Sequence, residues 1–247
     1  MKENFINIIK SGCDGLGIQT DDECIDKLYR YYTMVIEKNK VMNLTAITEE
    51  DEFALKHIID SLSLVKIIDL GAAENCGNGL SLIDVGTGAG FPGMVLKIVY
   101  PGLKITLFDS LKKRLSFLDE VIAELGLEDI CTLHGRAEDI GRSKEYREKF
   151  DLAVSRAVAN MSTLSEYCLP LVKKDGCFVA YKSGDSDKEL DEAKHAVKIL
   201  GGEIDSIVEL KLPDSDIERK LIKIKKIKHT PAQYPRKAGT PGKEPLH

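Results

Sequence analysis

The chain has 247 residues, of which 43% are hydrophobic, and a formal net charge of −5. This length permits one large domain or one domain with a small appendage, and the composition is ordinary for a globular protein. No apolar run approaches the roughly 18 residues of a membrane span, and the first residues lack the layout of a signal peptide. The six cysteines form no CxxC pair and the five histidines show no ligand spacing. We therefore expect a cytoplasmic protein without a metal site.

Residues 1–70 predict a helical cap in front of the rest of the chain. A first short apolar segment is expected to be broken by the glycines within 12–17. Apolar residues then recur every three or four positions over 25–36, which is typical of one helix face. Residues 48–51 resemble a capping box that opens a further helix. The glycine-containing loop 71–79 is expected to separate this cap from the next domain.

From residue 80 onward, strand-like and helix-like segments alternate. The predicted strands span 80–85, 103–108, 130–134, 150–155, 176–182, 203–212 and 220–227, and the predicted helices span 91–100, 112–125, 162–171 and 188–200. Five predicted strands that alternate with helical segments, followed by a hairpin-like pair, predict an α/β domain over 71–228, with a seven-stranded, mostly parallel sheet and an antiparallel edge. Right-handed crossovers place the carboxyl ends of the parallel strands on one rim.

A glycine-rich turn is the centre of the predicted site. An apolar strand ends at Asp84, and Gly86, Gly88 and Gly90 follow at alternate positions before Pro92. Glycine lets the backbone adopt positive φ and approach a ligand, and proline is tolerated in the first turn of a helix. The pattern predicts a strand, a tight turn and a helix N-terminus, with backbone N–H groups of the turn facing a ligand.

The same stretch has a competing interpretation. Gly88, Gly90 and Gly93 formally match a dinucleotide-binding fingerprint, and Asp109 lies close to the spacing of a ribose-binding acid. However, the strand ends before this match begins, and the Asp84 carboxylate would repel a pyrophosphate but attract an ammonium group. A ligand with a ribose at one end and a cationic amino acid at the other is S-adenosyl-L-methionine. A glycine turn without any ligand is the other alternative, and the methyltransferase reading is favoured over both.

Further acids follow the next two strands on the same rim. Asp109 ends the second strand, where it can accept both ribose hydroxyls. Glu138, with the backbone of Ala137, lies where adenine would lie and could accept from its amino group. Structural alternatives exist: Asp109 could cap the following helix, Glu138 could be an ordinary first-turn acid, and Phe91 could belong to the core.

The carboxyl end of the chain is basic. Residues 219–243 contain nine basic residues and no acidic one. A basic end, including the tail 229–247, on an otherwise acidic body is compatible with a phosphate-rich partner. The alternative is a solvated edge strand that carries protective lysines.

Residues 84–93 resemble the glycine motif of the GidB family, the ribosomal RNA small-subunit methyltransferase G proteins. Other matching segments are 43–47, 57–62, 136–138, 155–158 and 234–241. The resemblance runs through nearly the whole chain, and the terminal segment is the most specific of these motifs. It implies a class I, Rossmann-like methyltransferase that acts with S-adenosyl-L-methionine on N7 of a guanine in the decoding-region stem-loop of 16S rRNA.

The resemblance also implies roles for individual residues. The implied cofactor contacts are Gly86, Phe91, Ala137, Glu138 and Arg156, with Asp109 at the ribose position. The RNA-contacting side, on 16S rRNA or the small ribosomal subunit, is expected to include Lys56 and His57 from the cap and Arg236 and Lys237 from the basic tail. We expect a monomer.

Absent motifs agree with N7 chemistry. Amino-group methylases of bases commonly carry an Asn/Asp-Pro-Pro-aromatic loop after the fourth strand, where this chain has residues 155–158, and no cysteine follows a proline as in carbon-5 methylases. Guanine N7 carries an in-plane lone pair, so we name no general base and expect Arg156 to position the acceptor. The alternative for Arg156 is an ion pair with Glu138 or Asp139. Alternative functions are a small-molecule methyltransferase and a non-catalytic, cofactor-binding assembly factor.

Overall fold

A seven-stranded sheet with helices on both faces forms the body of the protein. The computed structural model describes residues 2–71, 79–184 and 186–246, so most of the expected loop 71–79 lies outside the described residues. The strands are β1 Ser81–Val85, β2 Lys104–Asp109, β3 Ile130–His134, β4 Phe150–Arg156, β5 Val172–Ser183, β6 Gly202–Lys211 and β7 Glu218–Lys226. The helices are α1 Lys2–Leu16, α2 Asp22–Met42, a composite helix α3 over 50–66, α4 Gly93–Val99, α5 Lys112–Leu125, α6 Ala137–Ile140, α7 Met161–Cys168, α8 Asp187–Ile199 and α9 Thr240–Lys243.

The sheet has the topology expected of the predicted α/β class. Its strand order is β3-β2-β1-β4-β5-β7-β6. The pairs from β3 to β5 are parallel, whereas β7 is antiparallel to both β5 and β6. This arrangement confirms the mostly parallel seven-stranded sheet with an antiparallel edge. Because β1 pairs with both β2 and β4, the strand order reverses there, and the crevice at the carboxyl ends of these strands is where open α/β sheets bind ligands.

Each face of the sheet belongs to a separate apolar cluster, because successive strand residues point to opposite faces. Leu82 of β1 packs with the core of α1 to α5, while the adjacent Ile83 packs with α7 and α8. In β4, Val154 and Ala153 divide between the two clusters in the same way. The N-terminal helices therefore share a core with one face of the sheet, and the division into domains 1–70 and 71–228 stays a prediction.

Helix α1 corrects the predicted break at 12–17. The helix runs without interruption through Gly12 and Gly15 and ends at Leu16, and Gly17 follows with φ +79°. A Cβ at Gly12 would lie 2.5 Å from Cδ1 of Ile59, so the missing side chain lets α1 pack closely against α3. Burial of the apolar face outweighs the helix propensity that glycine lacks.

The composite helix α3 changes its winding along its length. It consists of an α-helical turn Glu50–Phe53, a π-helical segment Ala54–Ile59, an α-helical turn Asp60–Leu62 and a 3₁₀ turn Ser63–Lys66. Glu49 precedes it without a side-chain capping bond, so the predicted capping box at 48–51 does not form. π-Helical segments occur frequently at functional sites, and this one carries His57, which is half-buried.

The C-terminal strap, residues 229–246, folds back along the loop after α6 and along α7. Arg142 Nε donates to Pro235 O at 2.7 Å, and Arg147 Nη1 donates to Tyr234 O at 2.8 Å. The Arg236 guanidinium contacts Glu166, which is fully buried in α7. The predicted basic tail is therefore packed on the domain over its described length.

Candidate active site

The glycine turn after β1 adopts the left-handed backbone that its composition predicts. Gly86, Gly88 and Gly90 have φ values of +75°, +61° and +108°. A Cβ at Gly90 would lie 2.5 Å from the hydroxyl oxygen of Tyr31, a buried residue of α2. That hydroxyl donates to Ala89 O at 2.5 Å, so α2 holds the turn directly. Both the positive φ and this close approach require glycine at position 90.

The backbone N–H groups of the turn are engaged within the protein. Gly86 and Thr87 donate to Phe108 O at 2.8 and 3.0 Å, and Gly88 donates to Asp109 Oδ2 at 3.0 Å. The N–H groups of the two residues after Ala89 donate back to the carbonyl of Thr87. The expected set of free N–H groups is not present, because the turn closes on itself and on β2 before α4 begins. The turn therefore contributes the shape of its backbone, which lets a ligand come close, rather than free N–H donors.

Asp84 is a fully buried carboxylate at the end of β1. Its Oδ2 accepts from Thr87 Oγ1 at 2.6 Å and from Gly93 N at 2.9 Å, whereas its Oδ1 has no hydrogen-bond partner among the described residues. Burial raises the pKa of Asp84 to about 6, and the two hydrogen bonds limit this rise. An unpartnered buried oxygen fits a carboxylate that completes its hydrogen bonding with a cationic group.

Asp109 joins the turn to the end of β2. Its Oδ2 accepts from Gly88 N, its Oδ1 accepts from Leu111 N at 2.8 Å, and Arg114 Nη1 lies 3.5 Å from Oδ2. The carboxylate therefore has the local role of an Asx turn just before α5, whose N-cap residue is Leu111, and not that of the helix-cap alternative. Each carboxylate oxygen has a further lone pair, so this role is compatible with a fork to ribose hydroxyls.

A cavity of about 780 Å³ opens beside the turn, within the size range of small-molecule sites. It brings together four of the predicted cofactor residues: Gly86, Asp109, Ala137 and Glu138. Its remaining walls are Val85, Phe108, Ser110, Leu111, Arg114, His134, Gly135, Arg136, Asp139, Ala157, Val158, Tyr167 and Gly239. These residues follow β1 to β4 and include one residue of the C-terminal strap. The cavity can hold a ligand with hydroxyl groups near Asp109 and a hydrogen-bond donor near Glu138.

Phe91 lies behind the turn, in contact with α3. It is 6% exposed and stacks on His57, with ring centroids 4.4 Å apart and planes 10° apart. The Arg156 guanidinium lies 5.1 Å from the centroid of the Phe91 ring. Phe91 therefore has the surroundings of a core residue, as the alternative interpretation predicts. Direct contact between Phe91 and the cofactor stays a prediction.

Arg156 at the end of β4 pairs with a carboxylate that the sequence reasoning missed. Its Nη1 donates to Asp60 Oδ2 at 2.9 Å and to Lys56 O at 3.1 Å. The expected alternative partners, Glu138 and Asp139, do not pair with Arg156 in the described structure. Asp60 is nearly fully buried and also accepts from Arg219 Nε at 2.8 Å. The segment match at 57–62 contained Asp60, but only the tertiary contact between α3, β4 and β7 reveals its partners.

His57 continues this polar network toward the loop 43–48. Burial and the nearby Arg156 lower the pKa of His57 to about 3, so the imidazole is neutral. Its Nδ1 lies 3.2 Å from Arg156 Nη2 and accepts, so its Nε2–H donates to Thr45 Oγ1 at 2.7 Å. Asn39 holds the same loop, since its Oδ1 accepts from Leu44 N and Thr45 N at 2.6 and 3.0 Å. The network fixes this loop beside Arg156.

The predicted RNA-contacting cations occupy different environments. Lys56 pairs with Glu52 at 2.5 Å, and Arg236 pairs with Glu166. Lys237 is exposed and forms no ion pair within the described chain. The lysines of β7 do not lie on an edge strand, because β6 covers that side of β7. This position removes the edge-strand alternative for that part of the basic end.

The described ranges contain neither a membrane-spanning helix nor a metal-binding cluster. They contain no helix with both the length and the apolar character needed to span a membrane. No group of three or more His, Cys, Asp or Glu side chains within these ranges has the arrangement of a metal site.

Comparisons with known proteins extend over nearly the whole chain. A relative from Acetivibrio thermocellus, named ribosomal RNA small subunit methyltransferase G, is 52% identical over 239 residues, which is 97% of this chain and 96% of that protein. A relative of the same name from Lachnoclostridium phytofermentans is 50% identical over 246 residues, covering 100% and 98% of the two chains. Both names agree with the resemblance in the sequence motifs.

Solved structures share the fold at low sequence identity. The structure of MtNAS in complex with MTA and tNA matches with a TM-score of 0.52 and 16% identity, covering 81% of this chain and 69% of that one. TrmN from Thermus thermophilus matches with a TM-score of 0.51 and 15% identity, covering 68% and 48%. The family model described as GidB, rRNA small subunit methyltransferase G, matches residues 24–222. The chain belongs to this family of S-adenosyl-L-methionine-dependent methyltransferases.

Proposed function

We propose that the protein transfers the methyl group of S-adenosyl-L-methionine to N7 of a guanine in the decoding-region stem-loop of 16S rRNA. The observation that carries the proposal is the cavity at the ends of β1 to β3, lined by Gly86, Asp109 and Glu138, in a chain of this family. The substrate is 16S rRNA or the small ribosomal subunit. The protein acts in the cytoplasm and as a monomer.

The order of acidic residues along the rim supports one orientation of the cofactor. Glu138 and the backbone of Ala137 hold adenine, Asp109 holds the ribose, and the amino-acid end lies toward Gly86 and Asp84. The adenine amino group then meets a carboxylate, and the ammonium lies at the end of the cavity near Gly86, next to the chain segment that carries Asp84; the unpartnered Oδ1 of Asp84 itself does not line the cavity. Bound in this way, the cofactor supplies an electrophilic methyl group on a sulfonium.

The acceptor base approaches from the side of Arg156 and the loop 43–48. Guanine N7 needs no deprotonation, so catalysis consists of alignment with the methyl group. Methylation makes the guanine cationic, and an uncompensated cation beside N7 would oppose it. Asp60 compensates the Arg156 charge at 2.9 Å, which supports a positioning role for Arg156 toward O6, a phosphate or the cofactor carboxylate. His57 contributes by holding Arg156 and Thr45 rather than by acting as a base.

Two exposed cations lie at the adenine end of the cavity, where they can contact RNA. Arg136 lines the mouth of the cavity and Lys237 lies two residues before Gly239, another lining residue. Neither of these cations forms an ion pair within the described ranges. Cations without a protein partner at the mouth of a site are available to phosphate groups. Lys56 and Arg236 are less available, because each already pairs with an acid.

The experiment is in vitro methylation with radiolabelled S-adenosyl-L-methionine. Purified protein is incubated with small subunits, or with 16S rRNA, from a strain that lacks the gene, and the RNA is digested and analysed by mass spectrometry. The expected product is N7-methylguanosine at one decoding-region position. Asp109→Ala is the inactive control. Label on another base, on a small molecule alone, or on no product despite cofactor binding would contradict the proposal.

A further inference from the structure

The C-terminal strap reaches the wall of the cofactor cavity. Gly239 lines the cavity together with Tyr167 and Glu138. The backbone N–H of Gly239 donates to Glu138 Oε1 at 2.7 Å. Glu138 Oε2 accepts no hydrogen bond from the described residues, and the Glu138 side chain is only 6% exposed. The strap therefore occupies one oxygen of the acid assigned above to adenine and leaves the other available.

Anchors on both sides of Gly239 fix this contact. On one side, Arg236 Nη2 donates to Glu166 Oε2 at 2.8 Å, and Arg236 N donates to Glu166 Oε1 at 2.6 Å. On the other side, Thr163 Oγ1 donates to Pro241 O at 2.8 Å, and Pro241 is buried. Both anchors belong to α7. With α7 holding the strap at two points, the amide of Gly239 is directed at Glu138 rather than at solvent.

We propose that the strap is part of the cofactor-binding site and that Gly239 is a positioning residue for Glu138. The N–H of Gly239 fixes the Glu138 carboxylate so that Oε2 faces the cavity and accepts from the 6-amino group of adenine. A carboxylate held in its binding orientation before the ligand arrives loses less conformational freedom on binding. This inference rests on the proposed placement of adenine and changes the role of the strap from RNA contact alone to a wall of the cofactor site.

A pair of glycine substitutions separates this role from general destabilisation. Gly239 and Gly17 have φ values of +81° and +79°, and a Cβ at either position would meet no atom within 4 Å. Alanine therefore imposes the same backbone strain at both sites. Gly17 is the control because it lies at the end of α1 and does not line the cavity. We expect Gly239→Ala to weaken S-adenosylhomocysteine binding roughly five- to tenfold, because relief of the strained left-handed backbone turns the N–H of residue 239, which alanine retains, away from Glu138. Gly17→Ala should bind the ligand as the wild type does.

Titration calorimetry without RNA is the measurement, and thermal unfolding checks that both variants fold. A second comparison adds Gly239→Ala to Glu138→Ala. If the strap acts through Glu138, the added substitution causes no further loss of affinity. A shortened chain that lacks residues 238–247 but keeps Arg236 should lose affinity like Gly239→Ala.

The outcomes distinguish the inference from the function on which it rests. Unchanged affinity in Gly239→Ala and in the shortened chain, together with a loss in Glu138→Ala, overturns the role of the strap and leaves the adenine site intact. An equal loss for Gly17→Ala also overturns it, because the effect would then follow from strain. Unchanged affinity in both Glu138→Ala and Asp109→Ala overturns the proposed site and the inference together.

Discussion

At the scale of single residues, the proposed cofactor site includes a carboxylate in an unfavourable environment. Asp84 is fully buried, and its pKa rises to about 6 mainly because burial disfavours the charged form. Thr87 and Gly93 each donate one hydrogen bond to it, which offsets only part of this cost. A carboxylate with a raised pKa at a strand end is typical of a binding site, because a ligand there can supply the missing interaction.

The first prediction concerns Asp84→Asn and pH. Between the ordinary pKa of 3.8 and the folded-state pKa of about 6, the folded state binds more protons than the unfolded state. Stability therefore falls as pH rises through this window, by about 3 kcal/mol when complete. Asparagine does not ionise, and its amide oxygen can still accept from Thr87 and Gly93. The variant should gain stability relative to the wild type from pH 4 to pH 6 and bind S-adenosyl-L-methionine more weakly at pH 7.

Urea unfolding at several pH values, with cofactor titration, provides the measurement. His57 shifts in the opposite direction: its lowered pKa means that stability is lost as pH falls below about 6.5 toward 3. The wild type and Asp84→Asn both contain His57, so the difference between their unfolding free energies reports on Asp84 alone. A stability difference that does not vary with pH would contradict the prediction.

The second prediction compares two glycines of the same turn. Gly88→Ala introduces a side chain at φ +61° whose nearest neighbour is Gly86 O at 4.0 Å. Gly90→Ala adds a Cβ within 3.0 Å of Tyr31, Leu118 and Met94. We expect roughly 1–2 kcal/mol of destabilisation for Gly88→Ala from backbone strain, and roughly 2–5 kcal/mol for Gly90→Ala from strain plus overpacking. Chemical denaturation measures the unfolding free energy of both variants. Equal losses would contradict the prediction, because they would show that overpacking at Gly90 adds nothing to backbone strain.

At the scale of elements, α3 connects the acceptor side to the sheet. Asp60 pairs with Arg156 of β4 and with Arg219 of β7, at 2.9 and 2.8 Å. All three side chains are largely buried, so each charge depends on the others for compensation. His57, one turn earlier in α3, extends the same connection to Thr45. The position of the loop 43–48 thus depends on how α3 is docked.

The third prediction tests this connection with Asp60→Ala. Removing the carboxylate leaves two partly buried guanidinium groups without their acid, so we expect a loss of about 3–5 kcal/mol in unfolding free energy. Methyl transfer at saturating cofactor should fall further than cofactor affinity, because Arg156 loses its orientation. Glu37→Ala breaks an exposed ion pair with Lys40 and should change stability by no more than about 0.5 kcal/mol. A similar loss of unfolding free energy in Asp60→Ala and Glu37→Ala would contradict the proposed role of Asp60.

At the scale of the whole molecule, the distribution of charge is more informative than its sum. The chain has a net charge of −5. Several cations of the basic end form ion pairs with acids of the same chain. Lys220 and Lys226 are buried in β7 and pair with acids, and Arg236 pairs with Glu166. The cations left for RNA are those without such partners, with Lys237 and Arg136 beside the cavity.

The fourth prediction separates Lys237 from Arg236. Lys237→Ala should weaken RNA binding and reduce the slope of log K against log salt by about 0.7–0.9, one phosphate contact, without affecting stability or cofactor affinity. Arg236→Ala removes the guanidinium partner of the buried Glu166 and leaves only the backbone N–H of residue 236, so it should mainly lower the melting temperature. Lys188→Ala, at an exposed position of α8, is the control. An unchanged salt slope for Lys237→Ala would remove this residue from the RNA surface.

Features that follow from local patterns could be predicted from the amino-acid sequence alone. Strand and helix alternation predicts the α/β class, and the turn composition at Gly86, Gly88 and Gly90 predicts positive φ, because only glycine adopts that backbone without strain. The acids at the strand ends, Asp109 and Glu138, could be assigned to one cavity because parallel strands share a rim.

The long-range partners of each residue, in contrast, follow only from the folded chain. The break expected at Gly12 does not occur, because Ile59 packs there and its burial outweighs glycine's low helix propensity. The pairing of Arg156 with Asp60 joins residues 96 positions apart. Glu138 meets Gly239 across 101 positions. Local propensities contain no term for such contacts, since these depend on how whole elements pack against one another.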